Sequence, residues 1–208
     1  MEALLNGFGA LAVAGRGFNE GINLFTVACE PAVDLPLFPG LKPALDYWSS
    51  KCGAHPMPSR SDIDPGEMVD FLPRVTLADV ERTPFLRFRY RLCGTGVCHV
   101  HPGDPTHIYT DQLQPHTYGQ LVHSQYLEAL QARAPSLHLN IFDDRQRYRA
   151  YAHLVLPLSR DHDHVDMIMT VDSLNQDQAK MMNLLVQLQR RAGIELGDFY
   201  FLPTRQPK

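Results

Sequence analysis

The chain has 208 residues, of which 44% are hydrophobic and 20% charged, an ordinary balance for a soluble globular protein. That length suits one domain of about 100–150 residues with elaborations at its ends. A formal net charge of -4 and a pI of about 6.2, without any Lys/Arg block, argue against a nucleic-acid partner. No segment approaches the ~20 apolar residues of a membrane span, which argues against a membrane one.

The N-terminus, MEALLNGFGALAVAG, carries the Ala-Val-Ala triplet of a cleavage site at 12–14 but has no positive n-region, and Asn6 and Gly7 break its apolar run. The expectation is a cytoplasmic protein whose residues 1–40 form an irregular extension or arm. Leu41 to Trp48 reads as a helix ending at Gly53, followed by the proline-containing linker HPMPSR. Asp64 can cap a short helix over 65–71, with Pro65 at its first position and Glu67 at its third, where a capping box closes.

Strands are expected over 74–80 and 85–93. The second alternates strictly: Leu86, Phe88, Tyr90 and Leu92 are separated by Arg87, Arg89 and Arg91. Period two places one set in a core and the cations on a solvated or partner-facing surface. Residues 95–114, rich in His, Gly, Pro and Asp, suggest short helices and loops. An amphipathic helix follows, with Tyr118, Val122, Tyr126, Ala129 and Leu130 along one side, and Ala134-Pro135 ends it. Three strands come next, Leu137–Phe142, Tyr148–Leu158 and Val165–Val171, joined by the polar turns DDRQ and SRDHDH. Met181, Leu184, Leu185 and Leu188 mark a last helix over about 175–192, with Gly193 placed to stop it. Two strands, a helical middle and three strands make an α+β domain: a five-stranded antiparallel sheet with helices on one face, over residues 41–172, with the arm before it and the helix and tail of 173–208 after it.

This order resembles a PAS domain, and the local sequence is similar to a class of short bacterial proteins built around one. The resemblance rests on the helix bearing Trp48, on MPSRSDIDPGEM at 57–68, LPRVTLADVE at 72–81, RFRYRLCGTG at 87–96, the Gly103-Asp104-x-Thr106 element and Leu156-Pro157-Leu158. It implies a domain that senses a small ligand, binds a partner signalling protein, or both. It implies no catalytic residue, and a homodimer paired through helices flanking the core. One departure stands out: where many PAS domains close the last strand with an Asp-Ile-Thr-like cap, this chain reads Thr170-Val171-Asp172-Ser173.

The cavity that such a fold leaves between helices and sheet is the candidate site. Phe88, Tyr90 and Leu92 share a face of the second strand, Met167 and Met169 a face of the last strand, assigned to the interior, and Leu154 and Leu156 a face of the strand between. Val122 and Tyr126 close the space from the helix, and Tyr90, His123 and Tyr126 carry polar tips able to orient a ligand. All of these residues also serve as plain core, and a filled interaction module without ligand is the first alternative. A haem sensor is the second, with His123 on the long helix as the axial candidate against its reading as a half-buried border residue. The third is a small enzyme built on His99, His101 and His107.

Cys93-Gly-Thr-Gly-Val-Cys98-His99 is a spaced variant of the c-type haem signature. Its four-residue gap is non-standard, so it reads as a strand end passing through glycine into a helix, with a redox-sensitive thiol pair left open. Asp161-His162-Asp163-His164 reads as a solvated turn rather than a cation site. No metal site and no named cofactor follow from the sequence.

Overall fold

The computed structural model describes residues 11–12, 23–29, 31, 38, 40–98, 103–143 and 148–173. Among these described residues seven strands form one antiparallel sheet: β1 (Leu11–Ala12), β2 (Asn23–Cys29), β3 (Val75–Glu81), β4 (Arg87–Cys93), β5 (Ser136–Asp143), β6 (Tyr148–Leu158) and β7 (Met167–Asp172), in the spatial order β1-β2-β5-β6-β7-β3-β4. The five expected strands are present. The sheet is wider than five because β2, inside a stretch read as irregular, pairs with β5 along its whole length, from Asn23 opposite Asp143 to Cys29 opposite Leu137. Asn23-Leu-Phe-Thr-Val-Ala-Cys29 is indeed strand-like, but the glycines before it and the prolines after it mask the signal. The helix expected over 175–192, with Met181, Leu184, Leu185 and Leu188, lies outside the described residues, as do His99 and His101.

Helix α1 (Lys42–Cys52) is tied to the sheet by Trp48, whose indole N–H donates to the Pro157 carbonyl at 2.9 Å. The segment expected as a helix over 65–71 is instead a run of single 3-10 turns, Pro65–Glu67 and Leu72–Arg74. Pro65 and Pro73 bracket it, and the residue before a proline disfavours the α region, so no longer helix develops. Asp64 does cap the first of these turns, accepting from the Gly66 N–H at 2.8 Å. The reciprocal box lies just upstream, where the Asp62 carboxylate accepts from Ser59 N at 2.7 Å and the Ser59 hydroxyl from Ser61 N at 3.3 Å. Helix α2 (Thr95–Cys98) follows β4 at once, and helix α3 (His116–Ala132) crosses the sheet before β5, ending at Arg133 in the left-handed region (φ 53).

Both faces of the sheet are buried. Directly paired residues share a face, so register sorts them. Thr76 pairs with Thr170, Val155 with Thr170, and His153 with Asp172; this face lies under α3, with Tyr126 packed over Phe88 and against His153. The other face holds Val75, Leu77, Leu154, Leu156, Met167, Met169 and Val171, all buried. The arginines of β4 are neutralised by neighbouring carboxylates. Arg91 pairs with Asp79 at 2.9 Å and Arg89 with Glu81 at 2.8 Å, while Arg87 forks onto Asp111 at 2.7 and 2.8 Å and lies over the Tyr109 ring.

The strict alternation of β4 does not survive to its end. Tyr90 sits opposite Ala78 and Leu92 opposite Leu77, which leaves Arg91 without a partner, a bulge of one residue. Beyond it the parity flips. Leu92 turns outward and is 42% exposed, while Cys93 takes the inner side opposite Thr76.

Candidate functional site

Between α3, the loops after α2 and the polar face of the sheet lies a cavity of about 210 Å³. Its floor is built from Thr76 of β3, Tyr90 and Cys93 of β4, His153 of β6, and Thr170 and Asp172 of β7. Tyr118 and Tyr126 of α3 roof it, and Val97, Asp104, Ile108 and Leu113 form the rim. The walls are therefore tyrosine rings and aliphatic carbons around a few convergent polar groups, the usual make-up of a small-molecule site.

Two close approaches hold this shell together. A Cβ on Gly94 would lie 2.4 Å from the Pro73 carbonyl oxygen, so glycine alone lets β4 turn into α2 there, and its N–H donates to Val75 O at 2.8 Å. A Cβ on Gly119 would lie 2.4 Å from the Thr110 carbonyl oxygen, so the first turn of α3 rests directly on the loop before it.

The electrostatics are set by burial. Tyr90, Tyr118, Tyr126 and Tyr151 are all held well above the ordinary phenol range because desolvation penalises the phenolate, so each remains a neutral hydroxyl. Burial likewise pushes the Cys93 thiol up to about 12. His153 and Asp172 form a buried pair, with Nδ1 2.5 Å from the carboxylate. In the neutral imidazole with its Nδ1 proton turned to the carboxylate, Nε2 is left as an acceptor, and among the described residues that buried atom has no hydrogen-bond partner.

Behind this pair a second buried polar cluster ties the N-terminal strand into the domain. Gln125 Nε2 donates to Thr26 Oγ1 at 3.0 Å and to Asn140 Oδ1 at 2.7 Å, and Thr26 itself donates to Asn140 at 2.9 Å.

Of the ten expected cavity residues, Tyr90 and Tyr126 line the space. Phe88 and Val122 are fully buried core and are not part of its lining. His123 lies away from it, its Nδ1 3.3 Å from Thr110 Oγ1 and its ring edge-on to Phe88 at 5.1 Å, so it does not reach the cavity as an axial ligand would. Leu92 is on the outside through the bulge. Leu154, Leu156, Met167 and Met169 are on the opposite face, because a strand buried on both sides gives no apolar signal to say which face is which. Their polar neighbours His153, Thr170 and Asp172 occupy the site instead. Buried His and Asp at alternating strand positions were the available signal, and Asp172 sits in the very segment that departs from the usual PAS ending. Asp161-His162-Asp163-His164 is a turn closed on its own carboxylate: Asp161 accepts from the N–H groups of Asp163 and His164 at 3.0 and 2.8 Å, which holds it well below the usual carboxylate range.

A five-stranded core ordered β4-β3-β7-β6-β5, with a helical crossover over a cavity, defines an α+β module of the PAS type. A family model described as PAS domain matches residues 39–172, and the chain belongs to that family. Domains of this family have sensory or regulatory roles in general. No curated protein and no solved structure matches the chain. Among the described residues no helix is long and apolar enough to cross a membrane.

Proposed function

We propose that this chain is a cytoplasmic sensor whose cavity takes a small ligand and whose flanking segments pass occupancy to a signalling protein or to a second copy of the chain. The observation that carries the reading is His153. Its Nδ1 is committed to Asp172, its buried Nε2 has no hydrogen-bond partner among the described residues, and the residue lines the cavity. Leaving a buried acceptor unsatisfied costs about 1–3 kcal/mol, and a ligand N–H or O–H recovers it. Among the described residues the lining contains Asp104 and Asp172 but no lysine or arginine, which favours a neutral or cationic ligand over an anion.

The route outward is short. Asp172 ends β7, and Ser173 just beyond it clasps Ala152 in both directions, donating its N–H at 2.9 Å and accepting at its hydroxyl at 2.6 Å. A ligand that re-seats His153 acts on the exit of the last strand. It shifts the arrangement beyond that strand only by its differential affinity for the two states.

Native mass spectrometry and thermal shift of the full chain test this, using a panel of small amines, alcohols and carboxylic acids, with a visible absorption scan alongside. The expected result is a bound mass or a shift with donor-bearing neutral or cationic members, lost in His153→Phe/Asp172→Asn, a pair chosen so that no carboxylate is stranded. A clean mass and no shift across the panel would sink the ligand reading and leave the filled interaction module. A Soret band would replace it with a haem sensor.

A further inference from the structure

At the rim of the cavity the chain brings together a ligand set that the PAS fold does not require. Cys93 Sγ, Cys98 Sγ and a carboxylate oxygen of Asp104 all lie within 4.8 Å of one another. We propose that these three side chains bind a zinc ion, with its remaining coordination position turned towards the cavity.

The arrangement is built rather than incidental. The Arg91 bulge turns Cys93 inward, and without it Leu92 would stand on that face. Gly94 then permits the immediate turn into α2, whose N–H groups at Val97 and Cys98 both donate to Gly94 O at 3.0 Å. This folds Cys98 back until its thiol lies 3.6 Å from the Cys93 carbonyl. Asp104 arrives from the far side of the loop, fixed by Thr106, whose N–H and hydroxyl donate to Oδ1 at 2.9 and 2.6 Å. Those bonds set the carboxylate's orientation and hold it ionised, below its usual range. Three independent devices therefore converge on one point.

The chemistry selects the metal. Thiolates favour Zn²⁺, Cu⁺ and iron, and the hard carboxylate tips a mixed set towards Zn²⁺. Zn–S bonds of about 2.3 Å and Zn–O bonds of about 2.0–2.2 Å place tetrahedral ligand atoms roughly 3.4–3.8 Å apart, inside the observed spacing. Zinc takes both sulfurs as thiolates, so binding releases protons and affinity rises with pH. Three protein ligands leave one position exchangeable. Since Cys93 and Asp104 also line the cavity, that position faces it and takes water or a donor atom of whatever occupies the space. The site stands independently of the ligand reading: zinc would bind whether or not a small molecule does.

The test is titration of the chelator-treated, reduced full chain with Co²⁺, followed by displacement with Zn²⁺. The expected result is one equivalent bound, sulfur-to-cobalt charge-transfer absorption with tetrahedral visible bands, and loss of both on adding zinc. Cys98→Ser and Asp104→Asn should each weaken binding at least ~10-fold, since even the loss of outer-shell partners costs that much, while leaving the circular dichroism unchanged. Cys52→Ser, a cysteine on α1, should bind as wild type and controls for adventitious thiol binding. Absence of the charge-transfer band, or binding that survives Cys98→Ser and Asp104→Asn together, overturns the proposal. So does a reduced chain that closes a Cys93–Cys98 disulfide in air even when saturated with zinc.

Discussion

His138, directly opposite His153 on the β5–β6 ladder, shows how burial sets the chemistry of this sheet face. It is 2% exposed, its Nε2 rests 3.0 Å from the Ser136 hydroxyl, and burial, reinforced by the neighbouring His153, lowers its pKa to about 3. An unfolded histidine takes its proton near pH 6.5, so on acidification the unfolded chain binds protons before the native one does. The stability associated with neutral His138 is therefore complete above about pH 6.5 and is lost as pH falls towards about 3, at up to ~1.4 kcal/mol per pH unit. His123, also lowered by burial, adds with the same sign. Urea unfolding midpoints should fall between about pH 7 and about pH 4.5, and His138→Leu should flatten that slope. An unchanged slope in the variant would show that other groups govern acid stability.

At the level of elements, the turn from β4 into α2 is where local sequence and tertiary packing meet most tightly. Gly94 is buried between the backbones of Pro73 and Val75, and an alanine Cβ there meets carbonyl oxygens at 2.4 and 2.8 Å with no flexible side chain to yield. Gly94→Ala should destabilise by about 1–3 kcal/mol, the usual cost of overpacking a filled interior. Gly66→Ala is the control, because its Cβ approaches only the Asp64 carboxylate, at 3.2 Å, and it should change stability by less than ~0.5 kcal/mol. Equal midpoints for the two variants in chemical denaturation would refute the packing argument. The same element explains why alternation failed as a guide beyond Tyr90: the bulge at Arg91 is a pairing event, and a seven-residue period-two pattern carries no mark of it.

For the whole molecule, the N-terminal strand is part of the sheet. β2 covers the outer edge of β5 and supplies Thr26 to the buried cluster with Gln125 and Asn140. Deleting residues 1–31 should leave β5 as a naked edge and take from Gln125 and Asn140 their buried bonds to Thr26. Unpaired edges invite pairing with another chain. The truncated protein should melt lower and self-associate, which differential scanning calorimetry and light scattering would register. A monodisperse product with the wild-type melting temperature would mean that β2 is dispensable.

Although β2 and the 3-10 character of 65–74 were not, the five strands from β3 to β7, the long helix between β4 and β5, the α+β class and the Asp64 cap were legible in the amino-acid sequence, because periodicity and capping are local consequences of backbone geometry. So was membership of the PAS-domain family, through the order of motifs from Trp48 to Pro157. The site was legible only in part. That Tyr90 and Tyr126 line the cavity was legible because one strand alternates with charge and one helix has a single apolar face. Leu154, Leu156, Met167 and Met169 were assigned to the wrong side because β6 and β7 are buried on both faces, and hydrophobicity then says nothing about which residues look inward. Only pairing register, the Arg91 bulge and the packing of α3 decided that His153, Asp172, Thr170 and Cys93 form the cavity floor, since parity across a sheet is set by partners far away in the chain.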